Sequence, residues 1–115
     1  PDFSSATKWE CEELGLTVRE LTYEVRAYYR LAADFQGVIV ADVESGMPAQ
    51  VAEFYVSDIL PLVNGEPVKD VAAFRAMVTK LLEAKAPSLT FFAKRLTGAR
   101  FLEVRPNGGD EEEEE

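Results

Sequence analysis

The chain has 115 residues, of which 47% are hydrophobic and 29% charged, a composition typical of one globular domain. Twelve Lys and Arg stand against 21 Asp and Glu, and the resulting net charge of −9 argues against nucleic acid as a partner. Six acids at positions 110–115 carry most of this charge, because the rest of the chain has a net charge of only −3. The folded part is therefore expected to be mildly acidic.

The composition also restricts the chemistry that the chain can perform. It contains no His, so a Ser/His/Asp or Cys/His nucleophile system cannot be built from this chain alone. Its single cysteine, Cys11, allows no internal disulfide. The acids Glu10, Glu12 and Glu13 are either solvated side chains or, as the less favoured alternative, a carboxylate pair or divalent-ion site. We expect no catalytic centre, no metal site and no cofactor.

Both ends of the chain differ in composition from its middle. Residues 1–8 are mostly polar and predict a flexible lead-in, and residues 106–115 predict a disordered acidic tail. The domain is therefore expected over residues 9–105. The chain begins with Pro1, which suggests a processed or excised piece of a longer protein. No apolar run is long enough to cross a bilayer, so this segment is not expected to insert into a membrane.

The first half of the predicted domain contains two strands and two short helices. Apolar and polar residues alternate from Leu14, with Gly15 near the entry of the strand. Thr22 is placed to cap a short amphipathic helix. Residues 38–43 are an almost continuous β-branched run, which is typical of a central strand. Pro48 then opens a second short helix that reaches about Ala52.

The second half predicts three strands and the longest helix. Residues 58–63 form a strand in which Pro61 indicates an edge or bulged position. A turn at residues 64–65 precedes Asp70, which is expected to cap a helix that ends near Ala84. Residues 88–95 and 99–104 predict a hairpin. This order of elements indicates an α+β fold, a five-stranded, partly open barrel or sandwich capped by one long and two short helices.

Three segments, residues 13–18, 37–49 and 57–68, resemble in their order and spacing a PDZ domain of the bacterial HtrA/Deg-family serine proteases. The Asn-Gly-x-Pro-Val run at 64–68 and the helix that follows Asp70 are the most specific part. The chain departs from the family at Ser57, where Gly is common before the Asp. It also has Glu53, Phe54 and Tyr55 where the family commonly has Ala-Gly-Leu.

The resemblance implies a module that recognises an extended peptide, usually a free C-terminus, by adding it as a strand. The implied carboxylate-binding loop is Glu13, Leu14, Gly15 and Leu16, where Gly15 lets backbone amides turn toward one point. Peptide pairing is assigned to the next stretch, which is expected to present an unpaired strand edge. Its residues are Leu16, Thr17 and Val18.

The long helix is expected to form the other wall of the groove. By the resemblance, Val71, Arg75 and Val78 face the groove, while Phe74, Met77 and Leu81 belong to the core. Because Val71 has no polar atom, we expect a preference for apolar side chains at the last and third-last peptide positions. Arg75 is expected to attract an acidic side chain.

The implied function is a non-catalytic regulatory or substrate-presenting module of an HtrA/Deg-like serine protease in the periplasm or cell envelope. Its expected partners are the C-termini of peptides or unfolded proteins and the protease domain of the parent chain. The alternative is a structural assembly domain of the same fold, in which the groove is blocked or unused.

Overall fold

Seven strands and three helices alternate along residues 7–106, the part of the chain that this computed structural model describes. In chain order these elements are β1 (Lys8–Cys11), β2 (Leu16–Glu20), α1 (Tyr23–Tyr29), β3 (Val38–Val43), α2 (Pro48–Val51), β4 (Ile59–Val63), β5 (Glu66–Pro67), α3 (Val71–Glu83), β6 (Leu89–Arg95) and β7 (Gly98–Val104).

The strands form one antiparallel sheet in the order β1-β2-β3-β4-β6-β7, with the short β5 paired to β4. Three helices and this sheet confirm the predicted α+β class. The register shifts between Ile59 and Leu62, so Pro61 lies at the predicted bulge. Proline cannot donate a ladder hydrogen bond, and it is tolerated at a bulge because the ladder is interrupted there.

The helix boundaries follow from their capping residues. The Thr22 side chain accepts a hydrogen bond from the Val25 amide at 3.2 Å, and Asp70 accepts one from Ala73 at 2.8 Å, which confirms both predicted caps. Pro48 is the first residue of α2, as predicted. Helix α1 ends at Tyr29, because Arg30 adopts the left-handed conformation with φ of 58°.

The predicted count of five strands is wrong, since the sequence signals predict neither β1 nor β5. β5 has two residues, of which one is Pro67, and so carries almost no strand signal. β1 includes Lys8, which had been placed in the lead-in. Residues 1–6 of that lead-in and residues 107–115 of the predicted tail lie outside the described residues.

The core lies between the sheet and α3. Helix α3 packs against β1, β2 and β4 and directs Val71, Phe74 and Val78 inward. The ring centroids of Phe74 and Phe91 are 5.9 Å apart, so the helix is joined to β6 by aromatic packing. Between residues 7 and 106 no helix is long and apolar enough to cross a membrane.

Candidate functional site

The candidate site is the groove between β2 and α3, and β1 lies inside it. β1 runs antiparallel to β2, with Lys8 opposite Arg19 and Cys11 opposite Leu16. Its other side faces α3. An extended segment of the chain itself therefore occupies the space between the two walls.

The loop that joins β1 to β2 directs its backbone N–H groups toward the last residue of β1. The Gly15 amide donates to the Cys11 carbonyl at 2.9 Å, and the backbone amides of Leu14 and Glu13 act to lower the pKa of the Cys11 thiol. A backbone N–H group that a loop turns toward the end of a strand in this way suits an electron-rich group. This is the loop that was predicted to hold a peptide carboxylate.

The carbonyl groups of the loop point away from the groove. Leu14 and Gly15 accept hydrogen bonds from the amides of Ala49 at 2.9 Å and Glu44 at 2.8 Å. Because the carbonyls are bound on that side, the amides are free to face β1. The start of α2 and the end of β3 thus hold the loop in its orientation.

Gly15 is required by this arrangement for two reasons. Its φ of 70° lies in the left-handed region that L side chains rarely adopt. A Cβ added there would also overlap with the Cβ of Met47, which cannot move away without its backbone. Only glycine fits this position of the loop.

The Cys11 thiol is enclosed by the same loop. Only 1% of this residue is exposed, and burial raises the pKa of the thiol above its usual value. The amide of Leu14 opposes this rise, while the charge of Glu13 adds to it. The thiol therefore stays protonated and points toward the Glu13 carboxylate, 3.9 Å away.

The side chains of β1 alternate between solvent and the groove. Lys8 and Glu10 are exposed, whereas Cys11 is buried and Trp9 is partly buried. The Trp9 ring meets Phe74 edge to face with centroids 6.0 Å apart, and the Arg75 guanidinium lies 5.9 Å from its centroid. A cleft of about 370 Å³ remains between this part of β1 and α3.

The predicted helix row is only partly directed at β1. Val71 and Arg75 line the cleft, together with Ala72, Ala76 and Thr79. Val78 is fully buried in the core, so the next turn of the cleft wall is formed by Thr79. Of the residues predicted for the core, Phe74 is buried, and Met77 and Leu81 are partly buried and pack against the core.

The expectation that Leu16, Thr17 and Val18 present an unpaired edge is wrong for this structure. Each pairs with β1 on one side and with β3 on the other. A segment joined to β2 by four residues pays little loop entropy to pair with it, so it covers the edge. The assignment of these residues to peptide pairing stays a prediction.

The sequence-based assignment missed three further residues of the groove. The side chains of Trp9 and Cys11 occupy the groove. The Glu20 carboxylate accepts a hydrogen bond from the Val71 amide at 3.2 Å, which ties the start of α3 to the end of β2. The alternation of polar and apolar residues over 8–11 is a strand signal, but a weak one at four residues. Glu20 had no local signal, since its partner is 51 residues away.

The acids near this loop do not form a metal site. Across residues 7–106 no group of three His, Cys, Asp or Glu side chains lies close enough together to hold an ion.

Comparison with known proteins gives consistent matches. No family model matches the chain. The probable periplasmic serine endoprotease DegP-like of Chlamydia muridarum (strain MoPn / Nigg) is 26% identical over 91 residues. The match covers 79% of this chain but only 17% of that protein.

The solved structures that share the fold include two with peptide ligands. The HtrA3 PDZ domain bound to the phage-derived ligand FGRWV superposes with a TM-score of 0.66 at 18% identity, covering 87% of this chain and 86% of that one. The HtrA-type protease AlgW with a decapeptide gives 0.63 at 19% identity, covering 87% of this chain and 29% of that one. The chain therefore has the PDZ fold and resembles the PDZ domains of HtrA-type proteases.

Proposed function

We propose that this domain binds the free C-terminus of an extended peptide by pairing it with β2 in the groove beside α3. The observation that carries this proposal is that an antiparallel strand, β1, ends at the loop of residues 12–15, where the Gly15 amide donates to its last carbonyl at 2.9 Å. A peptide in the direction of β1 would end at this loop, where the Gly15 amide would donate to its carboxylate.

The same groove supports the expected preference for peptide side chains. Alternate side chains of an extended segment face the same wall. In β1 these are Cys11, next to the loop, and Trp9, two residues earlier. A bound peptide would direct its last and third-last side chains into the same apolar surroundings, formed in part by Val71 and Phe74.

The role of the parent protein follows from the resemblance. We infer that residues 9–105 are a regulatory or substrate-presenting module of an HtrA/Deg-like serine protease of the cell envelope, working with the protease domain of that chain. The two solved neighbours with peptide ligands and the DegP-like relative support this reading. The module itself supplies binding and no catalytic group.

A second function is favoured by one specific observation. Because β1 covers β2, the groove of a purely structural assembly domain would look the same. In that case no peptide would enter, and the domain would serve only to join parts of its parent.

Titration with a designed peptide separates these two functions. The peptide Gly-Gly-Lys-Trp-Glu-Val repeats the sequence of β1, with Val in place of Cys, and has a free carboxylate. We expect amide chemical shifts to change in Leu14–Val18 and along α3. Absence of any shift at millimolar peptide would favour the structural function and contradict ours.

The matched control is the same peptide with a C-terminal amide. Hydrogen bonds to a charged group contribute about 1.5–3 kcal/mol, so the amidated peptide should bind about 10- to 100-fold more weakly. Equal affinity for both peptides would show that the loop does not recognise a carboxylate.

A further inference from the structure

β1 has the position, direction and side-chain pattern that the proposed ligand requires. It pairs antiparallel with β2 over four residues and ends at the loop amides. The Cys11 carbonyl accepts the Gly15 amide, where a terminal carboxylate would accept it. The groove cannot hold β1 and a peptide strand on β2 at the same time.

We propose that β1 is an internal pseudoligand, which closes the groove until a C-terminal peptide displaces it. This inference rests on the proposed function and concerns how peptide binding is regulated. The state shown by the structure is then the closed state. In the open state β1 leaves β2, and the loop amides and the surface around Phe74 become available to the peptide.

The contacts of β1 suit a segment that can leave. It is short, its Lys8 and Glu10 side chains are exposed, and it has no β-branched residue. Beyond the ladder, β1 is held by the Trp9 ring, by the buried Cys11 side chain, and by two hydrogen bonds, from the Glu20 amide to the Thr7 carbonyl at 3.1 Å and from the Gly15 amide to the Cys11 carbonyl at 2.9 Å. The other strands of the core remain paired when β1 detaches, because β2 keeps β3 as its neighbour.

Competition of this kind lowers the apparent affinity for peptide. The apparent dissociation constant equals the intrinsic one divided by the fraction of molecules that are open. A change that removes β1 from β2 should therefore strengthen binding, and a change that fixes β1 should abolish it.

A reversible disulfide tests this directly. Because the Thr7–Glu20 pair is hydrogen-bonded, the next pair, Lys8 and Arg19, is of the non-hydrogen-bonded kind, in which side chains lie closest. The double variant Lys8→Cys with Arg19→Cys should join β1 to β2 when oxidised. We expect the Gly-Gly-Lys-Trp-Glu-Val peptide to bind the reduced form at least about tenfold more tightly than the oxidised form.

The matched control places the same bond at the other edge of the sheet. Lys94→Cys with Ala99→Cys joins neighbouring positions of β6 and β7, far from β1 in the strand order. This variant should bind the peptide equally in both redox states. Melting curves of both double variants verify that each is folded.

The possible results are distinguishable. If the oxidised and reduced forms of the β1–β2 variant bind the peptide equally, the proposal that β1 is a pseudoligand is wrong, because the peptide then binds with β1 fixed in place. The proposed peptide-binding function would still hold. If the parent chain, the control and the reduced variant all fail to bind, the proposed function is wrong and the inference falls with it.

The buried Cys11 thiol provides an independent measurement on the unmodified chain. Alkylation by iodoacetamide requires β1 to open, because only 1% of Cys11 is exposed. If the peptide displaces β1, saturating peptide should raise the alkylation rate at least about fivefold, and the amidated peptide much less. Protection of Cys11 by the peptide would contradict displacement.

Discussion

At the scale of single residues, the most constrained polar group outside the groove is Asp58. It is 2% exposed and accepts hydrogen bonds from Nε and Nη2 of Arg95 at 2.6 and 2.9 Å, and from the Tyr55 amide at 3.0 Å. The hydrogen bond with Asp58 raises the pKa of Arg95, which also lies over the Tyr55 ring at 4.5 Å. This pair ties the segment before β4 to the end of β6.

Replacing Asp58 with Ala should destabilise the domain strongly. The substitution leaves the Arg95 guanidinium half-buried without its counterion, and breaking such a pair costs about 3 kcal/mol. Urea unfolding followed by circular dichroism measures the change in the free energy of unfolding.

The control for this substitution is Glu103→Ala. Glu103 pairs with Arg105 at 3.9 Å, and about half of each side chain is exposed, so its loss should change stability by less than about 0.5 kcal/mol. Similar losses for both variants would contradict the assigned role of the Asp58 pair.

At the scale of elements, α3 serves both the core and the groove with different faces. Val71, Phe74 and Val78 are buried, while Arg75 is exposed at the rim of the groove beside Trp9. A positive charge at this rim should favour an acidic peptide side chain. One face of the helix therefore stabilises the fold, and another is placed to select the ligand.

Arg75→Glu should reverse the charge preference of the groove. The fourth-last peptide position corresponds to Lys8, which lines the cleft together with Arg75. The parent chain should prefer a peptide ending in Glu-Trp-Glu-Val over one ending in Lys-Trp-Glu-Val, and the variant should prefer the second. Exposed ion pairs contribute about 0.2–1 kcal/mol, so each preference should be about fivefold at most. Fluorescence titration with labelled peptides gives the four dissociation constants.

The matched control is Lys80→Glu, which makes the same charge change on the same helix. Lys80 lines a different cleft, beside Met77 and Leu81, and does not face β1. The Lys80 variant should therefore prefer the same peptide as the parent chain. Unchanged selectivity in the Arg75 variant would show that Arg75 does not face the bound peptide.

At the scale of the whole molecule, most of the negative charge lies outside the residues that form the fold. The net charge of −9 falls to −3 without the six acids at positions 110–115, while the sheet, the core and the groove all lie within residues 7–106. A run of acids without apolar side chains has nothing to bury, so it should add solubility and little stability.

Deletion of residues 107–115 should therefore leave the fold unchanged. We expect the free energy of unfolding at 0.15 M salt to stay within about 0.5 kcal/mol of the parent value, as for exposed substitutions. Amide shifts of residues 7–106 should also be preserved. A loss of more than about 1 kcal/mol, or shifts in the groove, would show that these acids contact the domain.

The sequence by itself determined the elements whose signals are local. The Thr22 and Asp70 caps, Pro48 at a helix start and the Pro61 bulge are each set by the chemistry of one residue and its neighbours. The glycine-containing loop at Gly15 was also recognisable, because only glycine suits that backbone. The PDZ fold was indicated by the resemblance of residues 13–18, 37–49 and 57–68 to that family.

Only the tertiary structure decided what lies in the groove. Four residues of alternating polarity carry too little information to predict a strand, and nothing local states which edge they cover. The choice depends on contacts of Trp9 with Phe74 and Arg75, made across the fold. Pairing and burial between distant segments therefore turned a predicted open edge into a closed groove.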